Sequence, residues 1–274
     1  MQTDSTPFAG HVLVFDSGMG GLTVAREIKA LAPNLRVDYA ADNGFFPYGD
    51  KSDQALQDRV PTVAAALVDQ VQPDIFVIAC NTASTLALPA VRARIDIPVV
   101  GTVPAIKPAA ALSHTKTIGL LATPGTVRRR YTAELIAEFA DDCRVIMHGS
   151  VELVHLAEQH AAGIPVSLQA VRDAQAPLFQ DAGAERIDTI VLACTHFPLI
   201  RGELAATVPH PVTFIDSGEA IARQTLRLLA EQRLEPSGVQ PGTLYLTGTL
   251  QNATELVEVS RRFGINQSSE IIVP

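Results

Sequence analysis

Along the chain, short runs of Val, Ile and Leu alternate with longer stretches in which apolar residues recur at helical spacing. The short runs predict strands at residues 11–15, 37–40, 75–79, 117–122, 144–148, 189–192 and 212–215. Helical periodicity between them predicts helices at 22–32, 53–70, 126–139, 151–160, 168–181 and 219–231, with Pro61 marking a kink or break. Strands rich in β-branched residues, each followed by a loop and a helix, specify an α/β fold of mainly parallel sheet flanked by helices.

No low-complexity segment, charge block or Gly/Ser linker divides the chain, but an internal repeat does. Ile75-Phe-Val-Ile-Ala-Cys80-Asn81-Thr82 lines up with Thr189-Ile-Val-Leu-Ala-Cys194-Thr195-His196. More weakly, Val12–Phe15 followed by Asp16-Ser17-Gly18 resembles 119–122 followed by Thr123-Pro124-Gly125. The two pairs are offset by similar distances, which predicts two pseudo-symmetric α/β halves, each ending one strand in a cysteine. Ligands of open parallel sheets bind outside the carboxyl ends of strands, so facing halves would place both thiols around one cleft.

Composition narrows the classes of function. Hydrophobic residues make up 47% and charged residues 18%, with a net charge of −8, which excludes a disordered chain and argues against direct nucleic-acid binding. Asn81, Thr82, Ser84 and Pro89 interrupt the longest uncharged stretch, so no run reaches the roughly 18 residues of a membrane span. Residues 1–9 carry Asp4 and no basic segment ahead of an apolar one, so a cytoplasmic location is expected. The chain has 3 cysteines, Cys80, Cys143 and Cys194, too few for a disulfide scaffold; a reducing compartment keeps them as thiols.

Cys80 and Cys194 each stand where an apolar strand gives way to polar residues, where backbone N–H groups and a helix dipole stabilise a thiolate. A lone cysteine in such a place is more often simply core, but two in matching contexts favour chemistry. Two opposed thiols suit stereoinversion at a carbon acid, one removing a proton from one face while the other returns one to the opposite face. Without a cofactor, the developing carbanion needs hydrogen-bond donors and exclusion of water. Ser17, Asn81, Thr82, Thr195 and the glycine-rich turn are candidate donors, and Asp16 and His196 candidate assistants that set which sulfur is charged.

Other readings of these residues are weaker. Thr23 takes the place of the third glycine in Gly18-Met-Gly20-Gly21, so the loop fits a small anion or carboxylate better than a dinucleotide. Cys194-Thr-His196 lacks a second ligand pair for zinc, and Lys29, Lys51, Lys107 and Lys116 lack a Schiff-base setting, so neither metal nor pyridoxal phosphate is expected. Arg128-Arg129-Arg130, His155 and His160 are expected on solvated helix faces, Cys143 at a helix-to-strand junction, and Asp216-Ser-Gly218 at a helix cap.

The chain resembles the glutamate racemase family over nearly its whole length. The motifs that carry the resemblance are Val14-Phe-Asp16-Ser17-Gly-Met-Gly-Gly-Leu-Thr23, Pro47-Tyr48-Gly49-Asp-Lys-Ser52 and Ile78-Ala-Cys80-Asn81-Thr82-Ala-Ser-Thr85. Gly101-Thr-Val-Pro-Ala-Ile-Lys-Pro108, Leu121-Ala-Thr123-Pro-Gly-Thr126-Val127 and Leu192-Ala-Cys194-Thr195-His196-Phe-Pro-Leu199 follow in order. The resemblance implies cofactor-independent interconversion of L- and D-glutamate for peptidoglycan, with Cys80 acting on the D enantiomer and Cys194 on the L. It implies that Asp16 and His196 assist, that Glu152 is a further acidic assistant, and that Ser17, Tyr48, Gly49, Asn81, Thr82 and Thr195 contact substrate, with Thr123 and Thr126 nearby. It further implies two domains, residues 1–101 with 213–274 and residues 102–212, with the active site in the cleft between them, and a homodimer. Two departures from the family pattern are Ala41-Asp-Asn-Gly-Phe-Phe46, beside the expected cleft rim, and Ala193, where glycine is common.

The rival enzymatic reading is a racemase or isomerase of aspartate or another small acid using the same thiols. A rival of a different class is a regulatory protein binding DNA gyrase, since some family members are reported to inhibit it, and an acidic surface permits contact with a DNA-binding protein.

Overall fold

The computed structural model describes residues 10–232, 234, 240–249 and 253–273. Strands β1 (His11–Asp16), β2 (Arg36–Ala41), β3 (Ile75–Ile78) and β4 (Val99–Gly101) pair in the spatial order β2-β1-β3-β4. A second sheet repeats that order: β5 (Thr117–Ala122), β6 (Arg144–Gly149), β7 (Thr189–Ala193) and β8 (Thr213–Ile215) run β6-β5-β7-β8. Strands β9 (Gly242–Leu246) and β10 (Ile265–Glu270) extend the first sheet beyond β2, and every pairing is parallel. The repeat read from the cysteine segments is therefore a repeat of topology: β1 corresponds to β5 and β3 to β7. In each half the chain reverses its direction of travel across the sheet between those two strands, and ligands of such sheets bind outside that crevice.

Both faces of each sheet are covered, which is why the strands are continuous apolar runs. Alternation along β1 sends Val12 and Val14 to one face and Leu13 and Phe15 to the other. The first pair packs with α1 (Leu22–Leu31), α10 (Gly218–Glu231) and α11 (Thr254–Arg262) through Leu22, Ile28, Leu226 and Val259. The second meets α2 (Asp53–Val71) and α3 (Asn81–Arg92) through Leu56, Val60, Val63 and Ala87, and Phe15 stacks on Phe76 with ring centres 5.7 Å apart. In the second sheet, Leu121 and Leu192 face α7 (Glu152–Ala161), α8 (Leu168–Gln175) and α9 (Arg201–Thr207). Leu120 and Val191 face α4 (Ile106–Leu112) and α6 (Arg130–Phe139), which α5 (Pro124–Arg128) precedes. Each such side chain, fully buried, stabilises the fold by about 1.5–3 kcal/mol.

Four expectations need correction. The return to the first unit at residue 213 falls one strand early, because β8 hydrogen-bonds to β7 and the chain crosses back only after Ile215, through Asp216 and Ser217 into α10. Helix α2 is not broken at Pro61 but runs on to Val71, with Leu56, Val60, Val63 and Leu67 on either side of the proline docked on the sheet. The helix expected over 126–139 is two, broken at Arg129, whose backbone is extended (φ −76°, ψ 140°). The helix expected over 168–181 ends at Gln175 and tightens into a 3₁₀ turn at Ala176–Phe179, where Pro177 cannot continue the α pattern. Elements β4, α4, α9, β9, α11 and β10 were not expected. β10 illustrates why: of Ile-Asn-Gln-Ser-Ser-Glu only Ile265 is buried, so it is an edge strand without an apolar signature.

Candidate active site

Four loops at the carboxyl ends of β1, β3, β5 and β7 converge between the sheets. β1 ends in Asp16, which is fully buried. Its Oδ1 accepts hydrogen bonds from Ser17 N (2.5 Å) and Ser17 Oγ (3.2 Å), and its Oδ2 accepts one from Thr195 Oγ1 (2.7 Å), a residue of the other half. Thr23 Oγ1 donates to Thr195 O at 3.2 Å and adds a second tie between the halves. The following turn needs glycine for close approach: a Cβ on Gly20 would lie 2.5 Å from His196 Nδ1, and one on Gly21 2.8 Å from Asp16 Cβ. This turn binds the other half of the protein, which explains why its glycines do not follow the dinucleotide spacing.

β3 delivers Cys80 as the N-cap residue of α3, next to the free amides of the helix's first turn. Burial pushes the Cys80 thiol well above its ordinary range and the Asp16 charge pushes it further; the Ala83 and Thr82 amides oppose them. Negative charge on Cys194 also raises it, so the two sulfurs sit in each other's field. Next to Cys80, Asn81 is buried with its Oδ1 unpartnered among the described residues, an acceptor available to a bound cation. Thr82 Oγ1 shares a 3.0 Å hydrogen bond with Thr123 Oγ1, which is 3.1 Å from Thr126 Oγ1. Thr123 also caps α5 by accepting from Thr126 N.

β7 delivers Cys194, Thr195 and His196, all buried. His196 Nδ1 lies 3.8 Å from Cys194 Sγ, and Nε2 donates to Glu158 Oε1 at 2.6 Å. Burial alone would lower the imidazole, but the hydrogen bonds to Cys194 and Glu158 and their negative charge overcome it and hold His196 well above its ordinary value. An imidazolium is therefore stabilised between a carboxylate and a sulfur. Glu158 Oε1 also accepts from Met19 N (2.9 Å), which ties α7 of the second half to the glycine turn of the first.

Of the residues singled out in the sequence, Asp16, Ser17, Thr82, Thr123, Thr126, Cys194, Thr195 and His196 take part in these contacts, and Cys80 and Asn81 stand beside Thr82 at the head of α3. Gly49 joins them: a Cβ there would lie 3.4 Å from Thr123 Cγ2. Two others stand apart from these contacts. Glu152 is exposed at the start of α7, and the carboxylate that reaches His196 is Glu158 of the same helix. The available signal was position: Glu158 follows the buried Val154 by four residues, a carboxylate on the apolar stripe of α7. Tyr48 is buried, but its hydroxyl donates to Asp42 Oδ2 at 2.7 Å, so only its ring or backbone is free for a ligand. Asp42 is in turn clamped by Arg59, with Nε to Oδ2 at 3.0 Å and Nη2 to Oδ1 at 2.7 Å. Arg129, expected in a solvated run, is buried and enters the wall of the site. Phe46, in the departing segment before Pro47, lies with its ring 6.0 Å from that of His196, so this segment does border the site.

The profile of the Asp/Glu/Hydantoin racemase family matches residues 20–225. Glutamate racemase of Escherichia coli O139:H28 is 45% identical over 262 residues, covering 96% of this chain and 91% of that protein. Among solved structures, E. coli glutamate racemase in complex with L-glutamate and the activator UDP-MurNAc-Ala superposes with a TM-score of 0.89 at 44% identity, covering 97% of this chain and 99% of that one. Francisella tularensis glutamate racemase in complex with D-glutamate gives 0.77 at 25% identity, covering 96% and 97%. The fold thus belongs with a class of isomerases that invert a stereocentre. The chain is a member of the Asp/Glu/Hydantoin racemase family, on its glutamate racemase branch. Among the described residues no helix is long and apolar enough to cross a membrane.

Proposed function

We propose that this protein converts L-glutamate to D-glutamate for peptidoglycan by a two-cysteine proton transfer that uses only its own side chains. Cys194 as thiolate takes the α-proton from one face of L-glutamate, and Cys80 as thiol delivers its proton to the opposite face. The two sulfurs exchange roles: Cys194 ends neutral and Cys80 charged, and the reverse transfer describes D-glutamate. His196, held as imidazolium between Cys194 and Glu158, places a positive charge 3.8 Å from the Cys194 sulfur, while burial beside Asp16 favours the neutral form of Cys80.

Asn81 Oδ1 and Asp16 offer acceptors for the substrate ammonium, whereas the Ser17, Thr82, Thr123, Thr126 and Thr195 hydroxyls and the Gly49 backbone surround the carboxylates. The observation that carries the reading is the pair of buried thiols at equivalent strand ends of two equivalent sheets, joined through Asp16 and Thr195. Solved relatives binding L-glutamate in one case and D-glutamate in another support the choice of substrate. In deuterium oxide, each enantiomer of glutamate should racemise and acquire deuterium at Cα with the purified protein alone, and Cys80→Ala and Cys194→Ala should each abolish racemisation. Absence of exchange by reduced, folded protein would reject the mechanism, and faster turnover of aspartate in a side-by-side assay would reject the substrate.

A further inference from the structure

Arg129 stands at the extended break between α5 and α6, which turns its side chain inward while Arg130 beside it is 91% exposed. The Arg129 side chain is 7% exposed and crosses from the second half to the first. Its Nη1 donates to the backbone carbonyl of Thr82 and to Thr85 Oγ1 (2.7 Å), and its Nη2 donates to Asp53 Oδ1 (3.0 Å). Nε is buried and has no partner among the described residues. Asp53, its one counter-charge among the described residues, is 60% exposed, so a weakly compensated guanidinium rests on the first turn of α3. Leaving a buried cation so weakly paired is costly, which points to work done beyond packing.

That turn is the one that faces Cys80. The Thr82 carbonyl and the Ala83 N–H are the two ends of one peptide group in the first turn of the helix that Cys80 caps, and that amide is among the groups that lower the Cys80 thiol. A cation bonded to the oxygen end of a peptide withdraws electrons and makes its N–H a stronger donor. We infer that Arg129 is a positioning residue that polarises the Thr82–Ala83 peptide toward the Cys80 sulfur, so that the acidity of this thiol depends on contact between the two halves. Its consequence for catalysis rests on the two-cysteine reading proposed above. The other groups that act on Cys80 are Asp16 at the end of β1, Cys194 after β7, Tyr39 of β2, and Tyr48. None of them is touched by changing Arg129.

The test is iodoacetamide alkylation of the full-length protein from pH 6 to 11 (roughly the span of thiol titration), with Cys80 and Cys194 quantified separately by mass spectrometry. The plateau rate reports access and the midpoint reports acidity, so domain opening does not imitate the effect. Arg129→Met should move the Cys80 midpoint upward, making Cys80 roughly three- to tenfold slower below its midpoint while the Cys194 midpoint stays in place. Arg129→Lys, which retains the charge without the fork, should fall between, and it carries the test if the Met variant does not fold. Asp53→Asn removes the counter-charge but keeps the guanidinium, and should leave the midpoint in place or lower it. If the role is purely mechanical, Asp53→Asn raises it as well, and that result overturns the inference. So does an unmoved Cys80 midpoint in a folded Arg129 variant, or an equal shift at Cys194. Solvent exchange by the parent protein is independent of these midpoints, so failure of the reaction and failure of the Arg129 role are separable.

Discussion

Glu158→Gln isolates the charge that holds His196. Glutamine keeps an oxygen to accept from His196 Nε2 and from Met19 N, so the geometry at 2.6 and 2.9 Å can survive while the carboxylate charge is lost. With side-chain exposures of 3% for His196 and 21% for Glu158, solvent screens the pair only modestly. A hydrogen bond to a charged group exceeds a neutral one by about 1–2 kcal/mol, and each 1.4 kcal/mol is tenfold, so kcat/KM for glutamate should fall roughly five- to thirtyfold. The His196 titration, followed by NMR of the labelled ring, should drop toward the ordinary imidazole range. A histidine held above its unfolded value adds stability that is fully present below that value and lost as pH rises through its folded one, so the variant should lose stability chiefly on the acidic side of that window. Glu152→Gln is the control: at an exposed site it should change kcat/KM by about twofold or less. Glu158→Gln turning over at the parent rate with His196 unmoved would refute the relay, as would an equal loss in Glu152→Gln.

Because burial and Asp16 hold the Cys80 thiol up, its alkylation rate in the parent protein should still be climbing beyond pH 9.0; a plateau below that pH would contradict the site electrostatics. Gly20→Ala should retain the melting transition yet lose roughly tenfold or more of activity, because the added methyl meets the His196 ring; unchanged turnover would show that the turn yields freely. Asp188, which accepts from Ser113 Oγ and the His114 and Thr115 amides, is lowered to about 2: burial, which would raise it, is outweighed by these bonds. Its contribution is present above the unfolded carboxylate value and disappears as pH falls toward about 2. Asp188→Asn should therefore reduce stability at neutral pH by roughly 1–2 kcal/mol, allowing for partial exposure, and flatten the acid limb of urea titrations; a parallel acid limb would contradict it.

Periodicity and local wording made much of this protein legible without coordinates. Strands buried on both faces cannot alternate, so β1, β3, β5 and β7 stand out as uninterrupted apolar runs, and β3 and β7 share the wording Ala-Cys-polar-polar at their ends. That is enough to indicate two related halves and a pair of thiols. Polar β10, three-residue β4 and the short helices α4 and α9 carry no comparable signal, because pairing with an existing strand edge or covering a small patch does not require an apolar period. The apolar stripe of α7 places Glu158 on its inward face, but the docking angle of the helix is set elsewhere, so only tertiary structure decided that this carboxylate meets His196. It likewise turned Arg129 out of a surface-like triplet into the wall beside Cys80, and sent the Tyr48 hydroxyl to Asp42. Local sequence determines hydrogen bonds and burial within one strand or helix. Contacts among residues 16, 82, 129, 158 and 195 depend on how two separately folded sheets face each other, and that is a property of their combined surfaces.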